Sequence, residues 1–170
     1  MKTFAMQSNR GWNSTSFKIH GKGRTDEDIV LTIDVLSKFW DRSVEIASSN
    51  VIVDSSFRLE QVICKRENLR RLSNHLNKWL ENHAQFLIEL TDSSEQSLLV
   101  SLGPDTEMIS SSDKPLFSCH YSATPSLEIK WKYIVDETCI RSLSEDLNKE
   151  IYHRADPILS PHEIRCKPRA

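Results

Sequence analysis

Glycine is scarce in this chain of 170 residues: four are present, and three of them, Gly11, Gly21 and Gly23, fall near the start. Turns further along must therefore be built from Ser, Asn, Asp and Pro. Long apolar runs are also missing, since no window approaches the roughly 18 uninterrupted apolar residues of a spanning helix. Membrane insertion by a helix is thereby excluded as an expectation. The opening residues Met1 to Ser8 turn polar before an apolar h-region develops, so no secretory signal is expected and the cytoplasm is the expected compartment.

Cysteine is sparse and scattered. Cys64, Cys119, Cys139 and Cys166 are too far apart for a CxxC-type metal knuckle and do not read as a disulfide scaffold, so reduced thiols are expected. The six histidines show no HxH or HExxH spacing, so the reading is no metal and no cofactor. An excess of positive charge is lacking too. With 24 acids against 22 bases the formal charge is -2, which argues against a nucleic-acid partner, although the last residues are locally basic.

What remains is a globular composition, 38% hydrophobic and 27% charged, at a length that suits one core. Strand-like alternation dominates. Ile29, Leu31, Ile33 and Val35 share one face of the first clear strand. The pattern recurs at Phe57, Leu59 and Ile63, at Phe86, Ile88 and Leu90, at Leu98, Val100 and Leu102, and at Phe117, Cys119 and Tyr121. Its longest instance is Leu127, Ile129, Trp131, Tyr133 and Val135. Shorter pieces at Val44 to Ile46 and Val51 to Val53 are expected to pair. Polar clusters such as Asp92-Ser93-Ser94-Glu95 and Ala123-Thr124-Pro125-Ser126 separate the runs as turns.

Two segments switch to the helical period. Leu69, Leu72, Leu76, Trp79 and Leu80 make one stripe between Glu67 and His83. Asp136 is a good N-cap for the second, which carries Ile140, Leu143, Leu147 and Ile151. Strands joined by short turns pair antiparallel. The expected fold is thus α+β, a single twisted antiparallel sheet with two α-helices packed on one face. Its division is an N-terminal extension at 1–27, the α+β domain at 28–153, and a basic C-terminal tail at 154–170.

The chemistry-bearing residues have plain readings. Cys119-His120 is the one adjacent thiol–imidazole pair, but strand neighbours point to opposite faces, which puts Cys119 in the core and His120 outside. Gly21-Lys22-Gly23-Arg24-Thr25 neither follows a strand nor opens a helix as a phosphate loop would, and reads as a basic turn. The acids of Asp26-Glu27-Asp28, and Glu95, Asp105 and Glu107, have no evident enclosing pocket. No catalytic residue is assigned. The stretch from Gly103 to Pro115 is the longest internal connection and mixes acids with Met108 and Ile109, which suits a binding loop. The outward face of the sheet is expected to carry Arg58, Glu60, Val62, Glu89, Leu99, His120, Glu128, Lys130, Lys132 and Ile134, a mixture found in non-obligate interfaces. The partner-binding candidates are Glu95, Asp105, Glu107, Met108 and Ile109 on loops, with Glu89, Glu128 and Lys130 on the face.

The order Asp28-Ile29-Val30-Leu31-Thr32-Ile33-Asp34-Val35, the helix from Leu69 to Trp79-Leu80, Phe86-Leu87-Ile88-Glu89-Leu90, Leu98-Leu99-Val100-Ser101-Leu102, Leu127-Glu128-Ile129-Lys130-Trp131 and Ile134-Val135-Asp136-Glu137-Thr138 resembles the WapI-like immunity proteins of bacterial polymorphic toxin systems. The resemblance covers about residues 28 to 152. It implies a stoichiometric inhibitor that binds a cognate protein toxin and blocks it without chemistry of its own. A protein-binding adaptor or assembly factor is the alternative, followed by an enzyme using the loop acids or Cys119-His120, and then by nucleic-acid binding through the tail.

Overall fold

The structure, a computed structural model, describes residues 2–8, 13–22, 27–36, 44–46, 51–52, 56–104 and 114–152. In chain order these form β1 (Lys2–Gln7), β2 (Ser14–Lys22), β3 (Asp28–Leu36), β4 (Val44–Ile46), β5 (Val51–Ile52), β6 (Phe57–Lys65), α1 (Arg66–Asn82), β7 (Phe86–Glu89), β8 (Gln96–Pro104), β9 (Pro115–Ala123), β10 (Leu127–Ile134) and α2 (Glu137–Tyr152). Every strand pairing is antiparallel. The class is α+β, as the two periodicities require.

The single sheet expected from the sequence is corrected to two, in the orders β1-β2-β3-β6 and β5-β4-β10-β9-β8-β7. The reason is coverage. Each strand carries one apolar face, and two helices offer too little apolar surface to cover so many strands, so the inner faces of the two sheets cover each other. Trp131 on β10 meets Phe57 on β6 edge to face, with ring centroids 5.4 Å apart. Its indole N–H donates to Thr15 Oγ1 on β2 at 2.9 Å. The buried Tyr133 hydroxyl donates to the Met6 carbonyl at 2.9 Å and lies 2.9 Å from Thr15 Oγ1. Polar atoms sealed between the sheets are thereby paired, as burial demands.

Residues 1–27, set apart in the sequence reading, supply β1 and β2 of the first sheet. Phe4, Met6 and Phe17 are fully buried, and Phe4 stacks on Phe17 at 5.1 Å. Burying each such side chain contributes about 1.5–3 kcal/mol, so this segment is part of the core. α2 packs against β1 and α1, which brings the last helix onto the first strand. The proposed tail at 154–170 lies outside the described residues.

Val62, expected on the outward face, is wholly buried, as is Cys64. The cause is a bulge. Leu31 pairs with Val62 and Ile33 with Leu59, so two residues of β6 stand opposite one of β3, and Gln61 takes a left-handed φ of 55°. One extra residue flips every later side chain to the other face.

Both helices lie where the periodicity puts them. α1 follows β6 directly, its first N–H donating to the Glu27 carbonyl at 2.9 Å. It ends at His83, whose φ of 57° is left-handed and whose N–H bonds the Trp79 carbonyl. Asp136 caps α2, its Oδ1 accepting the Cys139 N–H at 2.9 Å. The helices meet through Leu rows and two polar pairs, Ser73 to Asn148 and Ser144 to Asn77, both at 2.5 Å. No described helix is long and apolar enough to cross a membrane.

Candidate functional site

The outer face of the six-stranded sheet gathers the candidates that the sequence could only place strand by strand. Register alone sets one row across it: Glu89 stands opposite Leu99, Leu99 opposite His120, and His120 opposite Lys130. A second row runs from Leu87 through Ser101 and Ser118 to Lys132. Arg58 and Glu60, expected on the same face, belong instead to β6 of the other sheet. There Asp34 holds both Lys18 and Arg58 as ion pairs, and the two cations lower its pKa, Arg58 chiefly.

Glu128 is the electrostatic centre of the face. Its Oε1 lies 3.0 Å from Lys130 Nζ and 2.8 Å from His120 Nε2. Its carboxyl is held below the usual carboxylate range, by Lys130 first and by His120 in lesser part. Glu89 Oε1 accepts the Ser97 hydroxyl at 2.8 Å and lies 3.4 Å from Thr91 Oγ1. That hydroxyl in turn accepts the buried Leu98 N–H. Glu95 is tied by its main chain, its carbonyl accepting the Thr124 N–H at 3.0 Å. Glu95 and Glu128 border one concavity of about 330 Å³ at the end of the sheet, with five serines and the exposed Leu127. Four of the candidates, Glu89, Glu95, Glu128 and Lys130, thus belong to one exposed region. The other four, Asp105, Glu107, Met108 and Ile109, lie outside the described residues.

Sequence reasoning missed the apolar part of this surface. Leu87 is 67% exposed on this face, and Leu127, which alternation with Ile129 and Trp131 assigns to the core side, is 44% exposed where β10 begins. The signal was available in the phase: Leu87 is the odd residue between Phe86 and Ile88, and its side chain must point outward. The serines at 97, 101, 118 and 122 have the same phase and line the same face.

Cys64 and Cys119 are placed against nucleophilic chemistry. Cys119 is buried while His120 faces outward, and burial pushes the Cys119 thiol well above its usual value. Burial likewise pushes Cys64 up to about 12, far from the thiolate a nucleophile needs at neutral pH. His75 stacks on Phe86 at 5.2 Å and His83 meets Trp79 at 4.7 Å, so each imidazole packs on an aromatic ring of its own. No cluster of three or more His, Cys, Asp or Glu side chains able to hold a metal occurs among the described residues. The acidic run also disperses: Asp28 pairs with Lys65 at 2.8 Å, Glu27 is exposed, and Asp26 lies outside the described residues.

No protein-family model matches the chain, and no curated protein matches it.

Proposed function

We propose that this chain is a protein-binding domain that docks through the outer face of its six-stranded sheet, and that it serves as a non-enzymatic immunity protein neutralising a cognate bacterial toxin. One observation carries the docking reading: Glu89, Glu95, Glu128 and Lys130 share an exposed surface with Leu87, and Leu127 borders the concavity at its end. Charges of both signs set around exposed leucines suit a specific, soluble partner surface, where apolar contact supplies affinity and the charges select the partner. The inhibitor reading is supported by the resemblance to WapI-like proteins and by thiols that burial keeps protonated.

The test is affinity purification of the tagged protein from its native host at high salt, beside the double variant Glu128→Lys/Lys130→Glu. A single stoichiometric partner carrying a toxin domain, bound with Kd around the nanomolar range and lost from the variant, is expected. Recovery of the protein alone, or equal recovery of the partner by a folded variant, overturns the reading.

A further inference from the structure

β7 is the last strand of its sheet; its outer edge is open at Leu87 and Glu89, and closes at Thr91, which is bridged to Cys64 of β6. Leu90 donates its N–H to the Leu98 carbonyl of the neighbouring chain segment at 2.9 Å. Main-chain groups alternate along an antiparallel pair, so Phe86 and Ile88 also turn theirs to β8, while Leu87 and Glu89 turn both N–H and C=O away. Among the described residues nothing pairs with those four groups. An unpaired row of this kind is a template for one more strand.

The edge opens on a cleft of about 1000 Å³ whose opposite wall is the first half of α1, with Arg66, Arg70, Arg71 and His75. The cleft also holds four carboxylates, Glu27, Glu67, Glu89 and Asp92, none of which is ion-paired with Arg66 or Arg71. Glu67 pairs with Arg70 at 3.7 Å, Glu89 accepts Ser97, and Glu27 and Asp92 lie near Lys65, which Asp28 already holds. Arg66 and Arg71 have no ion-pair partner among the described residues. A strand seated on β7 would point alternate side chains at these guanidinium groups, which bind carboxylates with two parallel hydrogen bonds.

We propose that the β7 edge and the flank of α1 form a groove that takes an extended acidic segment of a protein partner as an added strand. Leu87 and Glu89 supply its main-chain hydrogen bonds, and Arg66 and Arg71 select carboxylates at its inward positions. The groove shares Leu87 and Glu89 with the docking face described above but takes their main-chain groups at the sheet edge, and the peptide probe reads it without the toxin partner. A second copy of this chain is the poorer occupant, because two-fold pairing of β7 with itself would bring two walls of the same positive charge together.

The probe is a fluorescein-labelled decapeptide of alternating Val and Glu, read by fluorescence anisotropy, with an alternating Val and Lys peptide as control. Micromolar binding of the Glu peptide is expected, with the Lys peptide weaker by about tenfold or more. Leu87→Pro removes a donor that points away from β8, so it spares the native ladder while abolishing the first bond to an added strand. It and Arg66→Glu/Arg71→Glu should each weaken binding about tenfold or more, with circular dichroism unchanged. Hydrogen exchange on the unaltered protein reads the same edge: the Leu87 and Glu89 amides should slow when the Glu peptide binds. Equal binding of both peptides, unchanged exchange at those amides, or a dimer that Leu87→Pro dissolves would overturn the proposal.

Discussion

The side-chain amide of Gln96 clamps the β6 bulge at Gln61: its nitrogen donates to the Gln61 carbonyl at 3.3 Å, and its oxygen accepts the Ile63 N–H at 3.3 Å. The bulge gives up ladder hydrogen bonds on β6, and a side chain from the other sheet replaces them. Together with the bridge between Cys64 and Thr91, this clamp joins the edge of the first sheet to the second. Gln96→Ala leaves the two main-chain groups without that partner and should cost about 1–2 kcal/mol in urea denaturation. Gln61→Gly should be neutral or stabilising, because glycine takes a positive φ without the penalty of about 1–2 kcal/mol that a side chain incurs. A gain of stability in Gln96→Ala would show that the clamp does not hold the bulge.

Thr15 is the polar joint between the sheets. Thr15→Val keeps the shape but strips the indole N–H of Trp131 of its acceptor and leaves it buried. The expected loss is about 1–3 kcal/mol, read from the denaturation midpoint with an unchanged slope. Thr15→Ser keeps the hydroxyl and should recover most of that loss.

Asp136 connects helix stability to pH. Its carboxyl is held below its usual value of 3.8, first by the Cys139 N–H. A depressed folded pKa contributes stability above the unfolded value that is lost as pH falls through the folded one. Stability should therefore fall below about pH 4. Asp136→Ala should cost about 0.5–2 kcal/mol at neutral pH, and thermal melts across pH should show a shallower acid decline in that variant.

The buried thiols act at the other end of the scale. Cys64 rises from 9.0 to about 12 on burial, so the folded state holds a proton that the unfolded state releases. Its contribution is intact below about pH 9 and is lost as pH climbs toward 12. In the native protein at pH 8, alkylation read site by site should modify the half-buried Cys139 well before Cys64 or Cys119. Rapid labelling of Cys119 without denaturant would contradict its place in the core.

Much of this fold was legible because amphipathic period is a local property. Leu127, Ile129, Trp131 and Tyr133 alternate with Glu128, Lys130 and Lys132, and the strand forms there. The Leu69 to Trp79 stripe makes α1, and Asp136 opens α2. Faces were legible one strand at a time, and Glu89, Glu128 and Lys130 lie on the outward side that alternation assigns them. Val62 was misplaced because nothing in Glu60-Gln61-Val62 announces a bulge; Gln61 turns left-handed where a side chain from another sheet can hold it.

By itself, then, the sequence determined both helices and most strands from β3 onward, with their phase up to the β6 bulge, since these follow from contacts between near neighbours in the chain. Tertiary structure alone decided that the strands divide into two sheets, that β1 and β2 belong to the core, and that Glu95 and Glu128 border the same concavity. Those outcomes depend on which apolar face is left uncovered once the others have packed, and no local pattern carries that information.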